Sequence, residues 1–273
     1  MVCDQYHPPV LLPLSDPADP RLDDYRNLTD AALRARDHSG VFIAEGELVV
    51  RRLLTSRFPT RSLLIARSAQ HRLDTLPVPD DVPVYIAADD LLQTIVGFPF
   101  HRGVLACGQR LPEPPLTDLL GSRLLLVLEN TANTDNMGAL FRNTACLAGE
   151  GSAILLSPGC CDPLYRKALR VSIGYALTIP FTTTESWPDA LDQVRGAGFE
   201  LLALTPSPDA PPLDALAPGR RYALLLGAEG PGLSDHALRR ATRLARIPMA
   251  KGADSLNVAT AAAVALSRLA HPQ

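Results

Sequence analysis

The stretch LLLGAEGPGLS, residues 224–234, runs from unbroken apolar residues into a loop with glycines at 227, 230 and 232 and a carboxylate at Glu229. Glycines let a ligand come close to the main chain. The spacing G-x-x-G-x-G is not the G-x-G-x-x-G of a dinucleotide turn, and no Gly-Lys-Ser/Thr follows as in a phosphate-cradling loop. Glu229 would repel a pyrophosphate, and no lysine stands in the loop to offset it. An uncharged or cationic ligand suits this loop better; a glycine turn serving only internal contacts is the plain alternative. A second group is TDNMGALFRN, with Asn136, Gly138 and Arg142. On a helix capped near Thr134 or Asp135, the residues Asp135, Gly138 and Arg142 share one side. Gly138 costs about 1 kcal/mol relative to alanine there and would leave bare backbone beside Arg142. Met137, Leu140, Phe141, Ala145 and Ala148 form the apolar side, so Arg142 also fits an ordinary amphipathic helix surface. A third group, Ser255, Leu256 and Asn257, opens an alanine-rich helix and by itself reads as a helix cap. That helix is apolar on most sides and is expected to be buried.

All three groups fall where apolar strands end. RLLLVLEN, SAILLS, LTIPF, FELLALT, RYALLLG and TRLARIPM read as strands. They alternate with helices TDNMGALFRNTACLAG, DPLYRKALRVS, WPDALDQVRGAG, SDHALRRA and SLNVATAAAVALSRLA. Such runs predict a mostly parallel sheet covered on both faces, with ligands bound beyond the carboxyl ends of its strands. Upstream, VFIAE, SLLIA, VPVYIA and GVLACGQ read as strands; TDAALRARDHSG, GELVVRRLLTSRF and ADDLLQTIVG read as helices, the first capped by Thr29. The fold class is α/β, with a smaller domain over 1–112, a linker RLPEPPLTD, and a larger domain over 119–273.

Composition bounds the partners. The chain has 273 residues, 47% of them hydrophobic, enough for a sizeable core. No apolar stretch reaches the ~18 residues of a membrane span. The opening MVCDQYHPPV has no basic region followed by an apolar core, so the reading is of a cytoplasmic chain. Cys3, Cys107, Cys146, Cys160 and Cys161 include no C-x-x-C pair, which argues against a metal or disulfide role. The formal net charge is −3, yet no acid lies between Glu47 and Asp74 while Arg51, Arg52, Arg57, Arg61, Arg67 and Arg72 do. A local basic segment of this kind is a footprint for nucleic acid or simply a solvated surface.

In this order, NMGALFRNTACLAG, LLLGAEGPGLS and IPMAKGADSLNVATAAAVAL resemble the three motifs of the SpoU/TrmH-type RNA 2′-O-methyltransferases of the SPOUT superfamily. RKALRVSIGYALTIP is similar to that family's middle stretch. The first domain, through VFIAEGELVVRRLL and HRGVLA, resembles the ribosomal-protein-like substrate-binding domain that often precedes it. The resemblance implies S-adenosylmethionine as methyl donor, a trefoil knot in the C-terminal domain and a homodimer held by that domain. It implies donor contacts at Thr205, Gly227, Ile247, Met249 and Leu256, and active-site roles for Asn136, Arg142, Glu229, Ser255 and Asn257. One departure stands out: many members have Asp-Pro before the first motif's asparagine, where this chain has Asn133-Thr134.

The implied reaction is methyl transfer from sulfur to a ribose 2′-oxygen, in which positioning supplies much of the acceleration. No histidine occurs in the three motifs. The family offers Arg142 as base; because guanidinium normally stays protonated, an equal account has it grip the neighbouring phosphate and orient the hydroxyl. A 2′-hydroxyl acceptor selects RNA over DNA. RNA contacts are expected from Arg51, Arg52, Arg57 and Arg61, and ribosomal RNA is expected over transfer RNA by analogy with members carrying the extra domain. The rivals are a transfer-RNA 2′-O-methyltransferase, a non-catalytic RNA-binding or ribosome-assembly factor, and a small-molecule methyltransferase. Retention of Ser255 and Asn257 argues against the factor, and the arginine-rich first domain against a small substrate.

Overall fold

A computed structural model describes residues 10–28, 40–98, 100, 102–215 and 220–270. The helix expected over TDAALRARDHSG lies almost wholly outside the described residues. The chain divides into two compact units, 1–111 with 164–177, and 112–163 with 178–273.

The first unit is built on β1 (Leu11–Leu14), β2 (Val41–Glu45), helix α1 (Glu47–Leu54), β3 (Thr60–Ala66), β4 (Val84–Ala87), α2 (Asp89–Val96) and β5 (Val104–Gln109). Its five-stranded sheet runs β1-β4-β3-β5-β2. The β1–β4 and β4–β3 pairs are parallel, whereas β3–β5 and β5–β2 are antiparallel. Leu11–Leu14 lies upstream of the elements expected from the sequence; Pro13 interrupts it, and as an edge strand it tolerates the missing N–H.

The chain continues through α3 (Leu116–Leu119), β6 (Leu124–Leu128), α4 (Thr134–Asn143), a wider turn at Thr144–Ala148 and β7 (Ser152–Leu156). Helix α5 (Arg166–Val171) then returns to the first unit. The second unit resumes with β8 (Phe181–Thr183), α6 (Ala190–Gly196), β9 (Glu200–Leu204), β10 (Tyr222–Leu226), α7 (Asp235–Arg240), β11 (Arg243–Ala245) and α8 (Val258–Ala270). The strand order is β11-β9-β10-β6-β7-β8, and every pair is parallel. Leu125, Val127, Leu155, Leu201 and Leu225 pack with Leu191, Val194 and Ala237. The alternate residues Leu126, Leu128, Leu224 and Leu226 are equally buried, so both faces are covered and each strand reads as an unbroken apolar run.

Three expected elements differ. The strand placed at LTIPF falls later, at Phe181–Thr183, and Pro180, which has no N–H, serves only as an acceptor from Ile154. The helix expected over 162–172 is only Arg166–Val171. Helix α8 starts at Val258 and buries a stripe of Ala259, Ala262, Ala265 and Leu266, while Val264 is exposed. Within one chain the helix is therefore covered on one side, not on most sides.

Candidate active site

At the carboxyl ends of β9 and β10 the second unit opens a cleft of about 610 Å³. Thr205, Gly227, Ile247, Met249 and Leu256 line it, together with Glu229, Ser255 and Asn257. The glycine loop forms most of one wall. A Cβ on Gly227 would overlap the backbone of Gly232 and Leu233, because the loop folds back across its own first residue. Gly230 and Gly232 take φ values of +86° and +72°, and the Gly232 N–H donates to Ala228 O at 3.0 Å. At Gly227 the missing side chain thus makes room for the returning loop, the internal contact that stood beside ligand approach as the alternative.

Asn257 joins the three sequence groups. Its Nδ2 donates to Asn136 Oδ1 at 3.0 Å and to Glu229 Oε1 at 2.7 Å. Its Oδ1 accepts from the N–H groups of Ala259 and Thr260, capping α8. One side chain therefore serves both as the cap expected from Ser-x-Asn and as the bridge between the first and second groups. Between β11 and Asn257 the chain also bonds to the stretch after β9: Arg246 N–H donates to Pro211 O, and Arg246 O accepts from Leu213 N–H.

Helix α4 is capped one residue earlier than expected. Asn133 Oδ1 accepts from the Asp135 and Asn136 N–H groups, so Asn133-Thr134, the departure noted in the sequence, opens the helix with an ordinary asparagine cap. Asn136 is buried and points into the network just described. Gly138, expected to leave bare backbone beside Arg142, is buried, whereas Arg142, one turn on, is exposed. Among the described residues no ion pair holds Arg142, and it does not line the cleft.

Glu129 escaped the sequence reading. It closes the apolar strand β6, is only 2% exposed, and accepts three hydrogen bonds. Ser234 donates to it from N (2.8 Å) and Oγ (2.7 Å), and Trp187 from Nε1 (2.8 Å). A carboxylate placed at the end of an otherwise apolar strand was the available signal, since burying one alone is costly.

In the first unit, the four arginines expected to contact RNA have partners within the chain. Arg51 donates to Thr75 O at 2.5 Å and pairs with Glu47. Arg52 donates to Ile173 O and stacks on the Tyr175 ring, 3.9 Å from its centroid. Arg57 lies over Phe58, and Arg61 is 3.6 Å from Asp24. Of the four, Arg57 and Arg61 are exposed. Buried Glu45 holds Arg166 at 2.5 Å, with Arg102 and Arg170 each at 3.4 Å. The middle stretch assigned by sequence to the larger domain thus supplies Arg166 and Arg170 to the first unit.

Residues 123–267 match the SpoU rRNA Methylase family. The chain belongs to that family. An uncharacterized tRNA/rRNA methyltransferase of Mycobacterium bovis is 44% identical to it, over 92% of this chain and 88% of the relative. The 23S rRNA (guanosine(2553)-2′-O)-methyltransferase RlmP of Bacillus subtilis is 25% identical, over 86% of this chain and 91% of its own. The fold is shared with an AdoMet-bound rRNA methyltransferase from Sinorhizobium meliloti, with a TM-score of 0.79, 23% identity and coverage of 94% of this chain and 97% of that one. This SpoU protein is thus an RNA methyltransferase of the α/β class, its second unit the parallel-sheet SPOUT domain with a knotted C-terminal part.

The cleft fits the methyl donor of the SpoU family, S-adenosylmethionine. Its walls are glycine-loop main chain, apolar side chains and the polar Thr205, Glu229, Ser255 and Asn257, and among the described residues no lysine or arginine lines it. A phosphate-bearing cofactor would find no counter-charge there, whereas a sulfonium nucleoside needs none. Desolvation pushes the Cys161 and Cys107 thiols up to about 12.

Proposed function

We propose that this SpoU-family enzyme methylates a ribose 2′-hydroxyl of ribosomal RNA, with the glycine-loop cleft holding the donor and Arg142 holding the acceptor. The observation that carries this reading is the Asn136–Asn257–Glu229 network. It brings the three motif segments to one edge of an apolar, main-chain-lined cleft. S-adenosylmethionine supplies an activated methyl group. The chain's residues position the acceptor: Asn257 fixes Asn136 and Glu229, Ser255 lies on the cleft wall, and Arg142 on α4 grips the adjacent phosphate so that the 2′-oxygen lies in line. RlmP supports both the ribose acceptor and ribosomal RNA, because it shares most of its length with this chain and carries that activity. Incubating the protein and labelled donor with naked ribosomal RNA, assembled subunits and bulk transfer RNA, then mapping the 2′-O-methyl group by mass spectrometry, tests the proposal. Label confined to transfer RNA overturns the substrate.

Arg57 and Arg61 are the proposed phosphate contacts of the first unit, since both are exposed. Arg51 and Arg52 are half-buried and bound to backbone carbonyls, so they act mainly by shaping that surface. Removing Arg57 and Arg61 is expected to lower the salt slope of RNA binding by ~0.7–0.9 per lost contact, with donor affinity unchanged. An unchanged slope in a binding titration against salt removes them from the interface.

A cytoplasmic homodimer completes the reading. Among the described residues no helix is long and apolar enough to cross a membrane. The outward side of α8, with Thr260, Val264 and Ser267 exposed, is proposed to lie at the dimer contact, where small side chains allow close approach. Sedimentation is expected to give a dimer at micromolar concentration, and a monomer alone there would rule it out.

A further inference from the structure

We propose that Glu129 is a positioning residue that holds the glycine loop closed over the donor. This rests on the cleft being the donor site. The loop leaves β10 at Leu226 and ends at Ser234, and all of residues 227–233 line the cleft. Glu129 holds both of its ends. Its own N–H donates to Leu226 O at 2.8 Å. Its carboxylate accepts from Ser234 N at 2.8 Å and Ser234 Oγ at 2.7 Å. Ser234 also caps α7, accepting from Ala237 N–H. The neck of the loop is thereby pinned to the end of the neighbouring strand, and Gly232 and Leu233 are set down against Gly227.

Glu129 does not line the cleft, so it acts through Ser234. A group that accepts on both of its oxygens suits the place. Three donors converge on it, the third being Trp187 Nε1–H at 2.8 Å, and a glutamine would turn its own N–H₂ towards one of them. The arrangement also supplies a reporter, because Trp187 is the only tryptophan of the chain. Movement of the loop neck reaches the indole through the shared carboxylate.

Calorimetry with S-adenosylmethionine, tryptophan emission and steady-state kinetics on wild type, Glu129→Gln and Ser234→Ala test this. In Glu129→Gln the donor Kd and donor KM are expected to rise about tenfold or more, the worth of a charged hydrogen bond lost in a buried site. The KM for RNA stays as in wild type, and the donor-induced change in Trp187 emission is lost. Ser234→Ala keeps the N–H contact and is expected to raise the donor Kd about threefold. A part that is only structural would lower the melting temperature and leave the folded variants' donor affinity and RNA-to-donor KM ratio as in wild type. A folded Glu129→Gln protein that binds donor as wild type does overturns the proposal. If that variant does not fold, wild-type donor affinity in Ser234→Ala overturns it. Failure of the wild type to bind the donor overturns instead the assignment of the cleft.

Discussion

Arg142→Ala is expected to slow methyl transfer by ~100-fold or more, equivalent to ~2.7 kcal/mol of transition-state stabilisation, with donor affinity as in wild type. The separation follows from place. Arg142 is exposed on α4 and outside the cleft proposed for the donor, so its loss leaves that cleft intact. The size follows from chemistry: a guanidinium–phosphate contact is charge-assisted, and losing it also frees the acceptor to misalign. Arg142→Lys distinguishes its two roles. Partial recovery with an unchanged pH profile supports a grip on phosphate, because lysine keeps the charge without the planar fork. A rate that follows the lysine's own titration supports action as a base. Single-turnover assays on the RNA substrate measure both, and an Arg142→Ala enzyme that keeps most of its activity removes the residue from the reaction.

Gly227→Ala is expected to abolish measurable donor binding and to lower the melting temperature. The new methyl group would overlap Gly232 and Leu233 main-chain atoms, which cannot swing aside as a side chain can. Overpacking of this kind costs ~1–3 kcal/mol, and here the only relief is to open the loop that forms the cleft wall. Gly230→Ala is the contrast. It meets open space, so its penalty is the left-handed backbone alone, roughly 1–2 kcal/mol. Calorimetry on both variants decides the matter; a Gly227→Ala protein with wild-type donor affinity would show that the loop need not fold back as described.

Much of the site was legible because local chemistry spelled it out. Glycine spacing and Glu229 pointed to a loop for a ligand without phosphate; Thr205, Ile247, Met249 and Leu256, implied by the family resemblance and not by local chemistry, line the cleft beside it. Motif order pointed to the family that the comparison with known proteins then showed. Less legible were the exact caps and strand ends. Asn133, not Thr134, caps α4, since several adjacent small polar residues could each have done so.

The sequence alone determined the parallel sheet of the second unit and the apolar side that α4 buries. Hydrophobic burial is non-directional and roughly additive, so it leaves a periodic record in the order of residues. Tertiary structure alone decided which charge meets which. Glu45 is held by Arg166 from a segment assigned to the other domain, and Glu129 by Ser234 from the far end of the glycine loop. Arg52 donates to Ile173 O and stacks on Tyr175 rather than standing free of the chain. Hydrogen bonds and ion pairs act over ~3 Å and depend on direction. Their partners, distant in sequence, are chosen only when strands register and loops close, and no spacing along the chain records that choice.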